Sequence, residues 1–259
     1  MPVRFGFKAA CLAISLIGLS ACGSKSVDPA VFESEVQALK DTGDMYGQLY
    51  FVLEDRRPEL YIKFRKIALQ QYGRGYDVRD AGYLAGLRMR DDLLSETLKL
   101  SRVASDEHVR EMIGITLATY QHVSQEGPTD CVRLVNGRPL ETVKDFPKEL
   151  RKRETQLFLD LMTAPQTVAN RRAASQKEVL NWTMNLATLE PEVDLMIKLL
   201  NSSKRTANDA PDICNGAITM YKRLSYKKGE SRGTLFRGMA LSMLQKQQVR
   251  RNTEPQEKA

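Results

Sequence analysis

The sequence predicts an all-α fold, an irregular multi-helix bundle of about eight or nine helices. Three observations carry that expectation. Apolar and small residues recur at alternating steps of three and four along most of the chain. Helix-starting Asp, Ser and Pro and helix-stopping Gly fall between those stripes. Between Gly127 and Pro147 the helical period disappears, and a polar linker, Asn201 to Asn208, separates later helices. No period of about 34 residues appears, which sets aside a tetratricopeptide-type solenoid.

In chain order, Phe32, Val36, Leu39, Gly43, Tyr46, Tyr50 and Leu53 mark the buried stripe of a first helix. Pro58 opens a second with Leu60, Phe64, Ile67 and Ala68 inward, and Gly73 and Gly75 close it. Asp77 or Asp80 caps a third that runs to Ser101, with Leu84, Leu87, Leu94 and Leu98 on one side. Gly82 and Gly86, one turn apart, would let a neighbouring backbone approach it closely. Ser105 begins a fourth helix, with Val109, Met112, Ile113 and Tyr120 facing the core, and Gly127-Pro128 stops it.

Between 127 and 147, Asn136-Gly137 sits between two short β-favouring runs, which reads as a small β-hairpin near 132–143 or an ordered loop. Pro139 confines its second strand to an edge. Helices resume at Pro147–Met162, Gln166–Leu189 and Glu192–Leu200, the last two parted at Glu190-Pro191. Asp209 and Pro211 begin another, with Ile213, Ala217, Tyr221 and Leu224 inward, and Ser231 caps a last one to Arg250. Residues 30–251 thus read as a single helical domain, followed by a disordered tail, 252–259.

The first residues are of another kind. Arg4 and Lys8 precede the apolar run Ala9 to Leu19, which is too short for the roughly 20 residues of a membrane-spanning helix. Leu19-Ser20-Ala21-Cys22 resembles the lipobox of bacterial lipoproteins. That resemblance covers the leader alone. It implies that residues 1–21 are a cleaved signal peptide and that Cys22 becomes the lipidated first residue of the mature chain. Residues 22–29 would then be anchor and tether, reaching at most about 25 Å. Gly23, in place of an aspartate, implies the periplasmic face of the outer membrane, with inner-membrane retention left open.

Cleavage would lower the net charge from +7 to +5. The basic residues are spread along every helix, so the sequence points to no nucleic-acid partner. Cys11 would leave with the leader and Cys22 would be acylated, which leaves Cys131 and Cys214 in an oxidising compartment as one disulfide.

No catalytic motif emerges: there is no Gly-x-Ser-x-Gly, no phosphate-binding Gly loop and no His-Glu-x-x-His. His108 and His122 lie about 21 Å apart along one helix, and His108 with Glu111 makes only two ligands, so neither a metal site nor a cofactor is expected. Trp182 falls on the core side of its helix with Val179, Leu186 and Leu189. For a glycan-cleaving enzyme, Glu96 or Glu33 would supply the carboxylates.

The absence of motifs favours binding of a periplasmic or envelope protein, as a scaffold or as an immunity or inhibitor protein. Asn136 and Gly137 on the stapled hairpin, and Tyr72, Tyr76 and Tyr83 among glycines, are the candidate contacts. The competing readings are a carboxylate enzyme on peptidoglycan or lipid, and a carrier of an apolar ligand. The carrier, suggested by ten methionines and leucine-rich helices, requires an internal cavity. Cys22→Ser is expected to abolish incorporation of labelled fatty acid and to move the protein from the membrane pellet to the soluble fraction. Label retained by the variant would place the acyl chain elsewhere.

Overall fold

Helix caps and glycine turns cut the chain into more pieces than the apolar stripes suggest. The computed structural model describes residues 28–136, 147–164 and 170–253, with side chains to residue 249. Among the described residues there are twelve α-helices, one short 3-10 turn at Ala207–Asp209 and no strand. Cys22, Gly137, the second half of the expected hairpin and residues 254–259 lie outside them.

The first expected helix is two, α1 (Pro29–Asp41) and α2 (Met45–Arg56). Gly43 takes a left-handed φ of 70°, which side chains with a Cβ resist, and the Asp44 carboxylate accepts from Tyr46 N–H to start α2. The stripe survives the break because α2 folds back on α1. A Cβ on Gly47 would lie 2.8 Å from the backbone nitrogen of Lys40. α3 (Pro58–Tyr72) follows, and Asp77 caps α4 (Val78–Arg88) through Asp80 N–H at 2.8 Å.

The third expected helix also divides, at Met89, into α4 and α5 (Arg90–Leu100). No glycine or proline marks this break. The Met89 backbone (φ −99°, ψ 11°) redirects the axis, while its side chain is fully buried. Ser105 caps α6 (Asp106–Glu126) as expected.

The expected hairpin is corrected in its described half. Thr129–Val135 forms a short helix, α7, and Asn136 ends it rather than turning a hairpin. The Asn136 side-chain amide donates to Val132 O at 2.8 Å, a carbonyl that also accepts from the Asn136 backbone N–H at 3.2 Å, so the side chain folds back over the last turn. Helical geometry also lets Cys131 reach Cys214 on α11 (Ala210–Tyr226), where the two are disulfide-bonded with Cα atoms 5.3 Å apart and no exposure. Closing a loop across 83 residues stabilises the fold by about 4.5 kcal/mol on the chain-entropy account.

α8 (Lys148–Thr163) lies close to its expected span, with Leu157, Phe158, Leu161 and Met162 all buried. α9 (Gln176–Ala187) starts ten residues later than expected, at a Ser175–Glu178 capping box. Residues 170–175 instead run as irregular chain. α10 (Pro191–Asn201) then packs so closely on α11 that a Cβ on Gly216 would lie 2.6 Å from Glu192 O. α12 (Gly229–Thr253) begins before Ser231 and takes in Asn252 and Thr253, which the sequence placed in a disordered tail.

One core runs from Phe32 on α1 to Ala240 on α12. α8 bridges α2, α5 and α6, while α12 lies across α5, α6 and α9. The crossing is fastened by Arg237 on α12, which is 1% exposed. Its guanidinium donates to Ser101 O at 3.0 Å, to Ala104 O at 2.9 Å and to the Asp106 carboxylate at 3.3 Å. Those three residues form the turn between α5 and α6. Gly233, one turn earlier, leaves the room: a Cβ there would lie 2.7 Å from Arg237 Nη1. The chain before α9 joins the same knot, Arg171 N–H donating to Arg102 O and Ala174 N–H to Thr234 O, both at 2.8 Å.

Arg237→Met is expected to lower stability in urea unfolding by about 2–5 kcal/mol, since two buried carbonyls lose their donor. Arg237→Lys, a compact cation without the fork, should recover only part of that loss.

Candidate functional site

The inner face of α5 does not close onto α6. Arg90, Leu94 and Leu98, at successive turns of α5, form a ridge flanked by two cavities of about 90 Å³ each. The first lies toward α2, α4 and α8 and includes Tyr46, Tyr83, Gly86 and Phe158. The second lies toward α7, α11 and α12 and includes Leu134, Tyr221, Met239 and Met243. Arg90, Leu94, Leu98, Ile115, Thr116, Glu154 and Phe236 line both, so the two lobes adjoin beneath α5. Together they are on the order of the ~150 Å³ apolar cavity that takes up benzene.

Three threonine hydroxyls of this lining are turned back into their own helices. Thr97 Oγ1 donates to Leu93 O at 2.9 Å, Thr116 to Met112 O at 2.8 Å, and Thr119 to Ile115 O at 2.9 Å. Ser95 Oγ donates to Gln247 Oε1 at 2.9 Å, joining α5 to α12 across the second lobe. Much of the remaining lining is hydrocarbon, and its charged groups gather chiefly in one corner.

That corner belongs to the first lobe. Arg90 grips Glu154 with two nitrogens, at 2.6 and 3.3 Å, and Arg151 Nη1 lies 3.5 Å from the same carboxylate. Burial pulls the Arg151 guanidinium down to about 10; Glu154 opposes that shift and the nearby Arg90 adds to it. Tyr46 and Tyr83 meet edge to face with ring centres 5.9 Å apart. Burial, reinforced by Tyr83, pushes the Tyr46 hydroxyl up to about 12, so it remains a hydrogen-bond donor at any physiological pH.

The residues singled out from the sequence do not converge. Tyr83 lines the first lobe, whereas Tyr72 packs on Phe32 with ring centres 5.3 Å apart and donates to Glu35 at 2.8 Å. Tyr76 is exposed after the turn at Gly75. Asn136 is exposed at the end of α7, and Cys131 and Cys214 are core residues rather than surface ones. Gly82 does admit a close neighbour, a Cβ there lying 2.9 Å from the Tyr50 ring, but Gly86 has nothing within 4 Å because it borders the cavity.

Neither nominated carboxylate lies in the lining. Glu96 sits on the opposite side of α5, where burial opposes its charge but hydrogen bonds from Lys99 (2.5 Å) and Arg57 (2.8 Å) outweigh it. They hold the carboxyl below the ordinary range. A general acid would need the reverse shift. Glu33 is paired with Arg65 at 2.5 Å.

Glu111, the candidate partner of His108, is held by Arg153 at 2.8 Å. Among the described residues no cluster of three His, Cys, Asp or Glu side chains is arranged around a metal position. Nor is any helix among them long and apolar enough to cross a membrane. Trp182 is half-buried against the core beside Leu186, while Leu189 is 75% exposed, contrary to its expected place on that side.

The sequence reading missed Arg90, Arg151, Glu154 and Phe236, which are brought together only by long-range packing. A charged residue on an apolar stripe, as Arg90 is beside Leu94 and Leu98, was the one available signal. Comparison with protein-family models, with curated proteins and with solved structures finds no match to this chain.

Burial also raises Tyr50, Tyr120 and Tyr221, and lifts Tyr61 to about 12 with Glu54 assisting. Unfolded tyrosines ionise near pH ~10, so between about 10 and 12 the unfolded chain releases protons that the folded one retains. Stability is therefore expected to be intact below pH ~10 and to fall as pH rises further. A phenolate absorbance titration should show a late-ionising set in the native protein and a single transition for all nine tyrosines in denaturant. A single native transition near pH ~10 would contradict the burial.

Proposed function

We propose that this chain is a ligand-binding lipoprotein of the bacterial envelope, a helical body that takes up a small apolar or amphiphilic molecule beneath α5. The observation that carries this reading is the pair of adjoining, mainly apolar cavities in whose lining Thr97, Thr116 and Thr119 turn their hydroxyls back into their own helices. A largely apolar concave site with a few convergent polar groups is the usual form of a small-molecule pocket. The lipobox at Leu19–Cys22 supports a tether at Cys22 on the periplasmic face of the outer membrane, and a fully buried disulfide suits that compartment.

A second reading, binding of an envelope protein, is favoured by a different observation. Leu180, Met184, Leu189 and Leu195 are each more than two-fifths exposed on α9, α10 and the turn between them. An apolar face of that kind suits a protein contact better than Asn136 or the three tyrosines do.

The direct test uses a neutral apolar dye. N-Phenylnaphthylamine added to the purified protein is expected to brighten on entering the cavity and to be displaced by decanol. Gly86→Leu, which places a side chain in the open space of the first lobe, is expected to suppress the signal. Replacing a helical glycine also adds roughly 0.5–1 kcal/mol of helix propensity, so the variant should melt no lower than the parent. Dye uptake that is absent from the parent, or unchanged in Gly86→Leu, would reject the cavity as the site.

A further inference from the structure

The two lobes are chemically unequal. Tyr46, Tyr83 and Arg151 line only the first, whereas Asp91 lines only the second. Arg90 and Glu154 stand where the lobes meet. The first lobe therefore ends in two phenol hydroxyls and two guanidiniums around one carboxylate, a corner made chiefly of donors. The second ends in Met239, Ala240, Met243 and Leu134. Methionine there suits an unbranched hydrocarbon tail, because its flexible thioether adapts to irregular apolar shapes.

Building on the ligand-binding reading above, we infer that the cavity takes a single-chain amphiphile with a carboxylate head. The head sits at Tyr46, Tyr83 and Arg151, and the tail passes Leu94, Leu98 and Phe236 into the second lobe. The opposite orientation sets a charged head among Leu134, Met239 and Met243, whose hydrocarbon offers it no hydrogen bond. A cationic head meets Arg151 and Arg90 in the first lobe. A neutral alcohol fills the same space without the charge-assisted hydrogen bonds that a carboxylate draws from phenol and guanidinium donors.

The test compares three ligands of one chain length, decanoate, decanol and decyltrimethylammonium, by calorimetric titration of the purified protein below their micellar concentrations. Decanoate is expected to bind about tenfold or more tightly than decanol, the range that one charged hydrogen bond supplies. The cationic ligand is expected to bind more weakly than decanol.

Tyr83→Phe keeps the ring and removes only the hydroxyl, so it should weaken decanoate several-fold and leave decanol nearly unchanged. Arg151→Gln should erase the preference for decanoate, with decanol binding reporting that the cavity is still formed. Equal affinities for decanoate and decanol, or a preference for the cation, would overturn the head-group assignment while leaving the cavity reading intact. Binding of none of the three would overturn both.

Discussion

The Arg237 clamp sets the spacing on which the rest of this structure depends. A guanidinium taken out of water is costly unless its donors are used, and here they reach two carbonyls and a carboxylate of one turn. The turn is the α5–α6 corner and the arginine belongs to α12, so one side chain fixes three helices at a single point. From that corner α5 runs out over α6, held at its sides by α4, α8 and α12. The cavity is the space this arrangement leaves under the roof. Because the clamp engages backbone oxygens, it fixes the path of the chain as well as the packing of side chains.

Leaving that space unfilled has a measurable cost. At about 24 cal/mol per Å³, a lobe of 90 Å³ forfeits roughly 2 kcal/mol of packing. The disulfide between α7 and α11 offsets it, contributing about 4.5 kcal/mol from a loop spanning 83 residues. Stacking of Tyr120 on Tyr221, with ring centres 5.4 Å apart, consolidates the same region beside the second lobe. The molecule is thus strongly fastened next to the place where it is least well packed. At Gly86 a larger side chain would have removed much of the deficit, and the chain has none there.

Local features of the sequence proved readable. Asp77 and Ser105 cap the helices they were expected to cap, the stripe Leu157, Phe158, Leu161 and Met162 is buried, and the two cysteines of the helical body are joined. Each of these rests on a spacing of a few residues or on a simple pairing. The breaks were harder. Gly43 fits an apolar stripe as well as a turn, and only its left-handed φ distinguishes the two. Met89 carries no breaking chemistry at all, and the residue after it, Arg90, turns inward to Glu154, a partner 64 residues away that no local pattern announces. Asn136-Gly137 favours a hairpin locally, but Cys131 meets α11 from a helical turn that ends at Asn136, so the local signal does not decide the structure there. The candidate site was the least legible part, because its polar corner draws on α2, α4, α5 and α8 at once.

The disulfide has a topological consequence for this arrangement. Cys131 and Cys214 close a covalent ring that contains α8, α9 and α10, whereas α12 lies wholly downstream of it. The far half of α12, beyond Arg237, walls the second lobe through Met239, Met243 and Gln247 and is not part of that ring. Its separation from α5 breaks the Ser95–Gln247 hydrogen bond and apolar contacts, but no covalent constraint opposes it. Amide hydrogen exchange would therefore sort the molecule by topology as well as by burial, with the end of α12 opening as a sub-global unit while the ring stays closed.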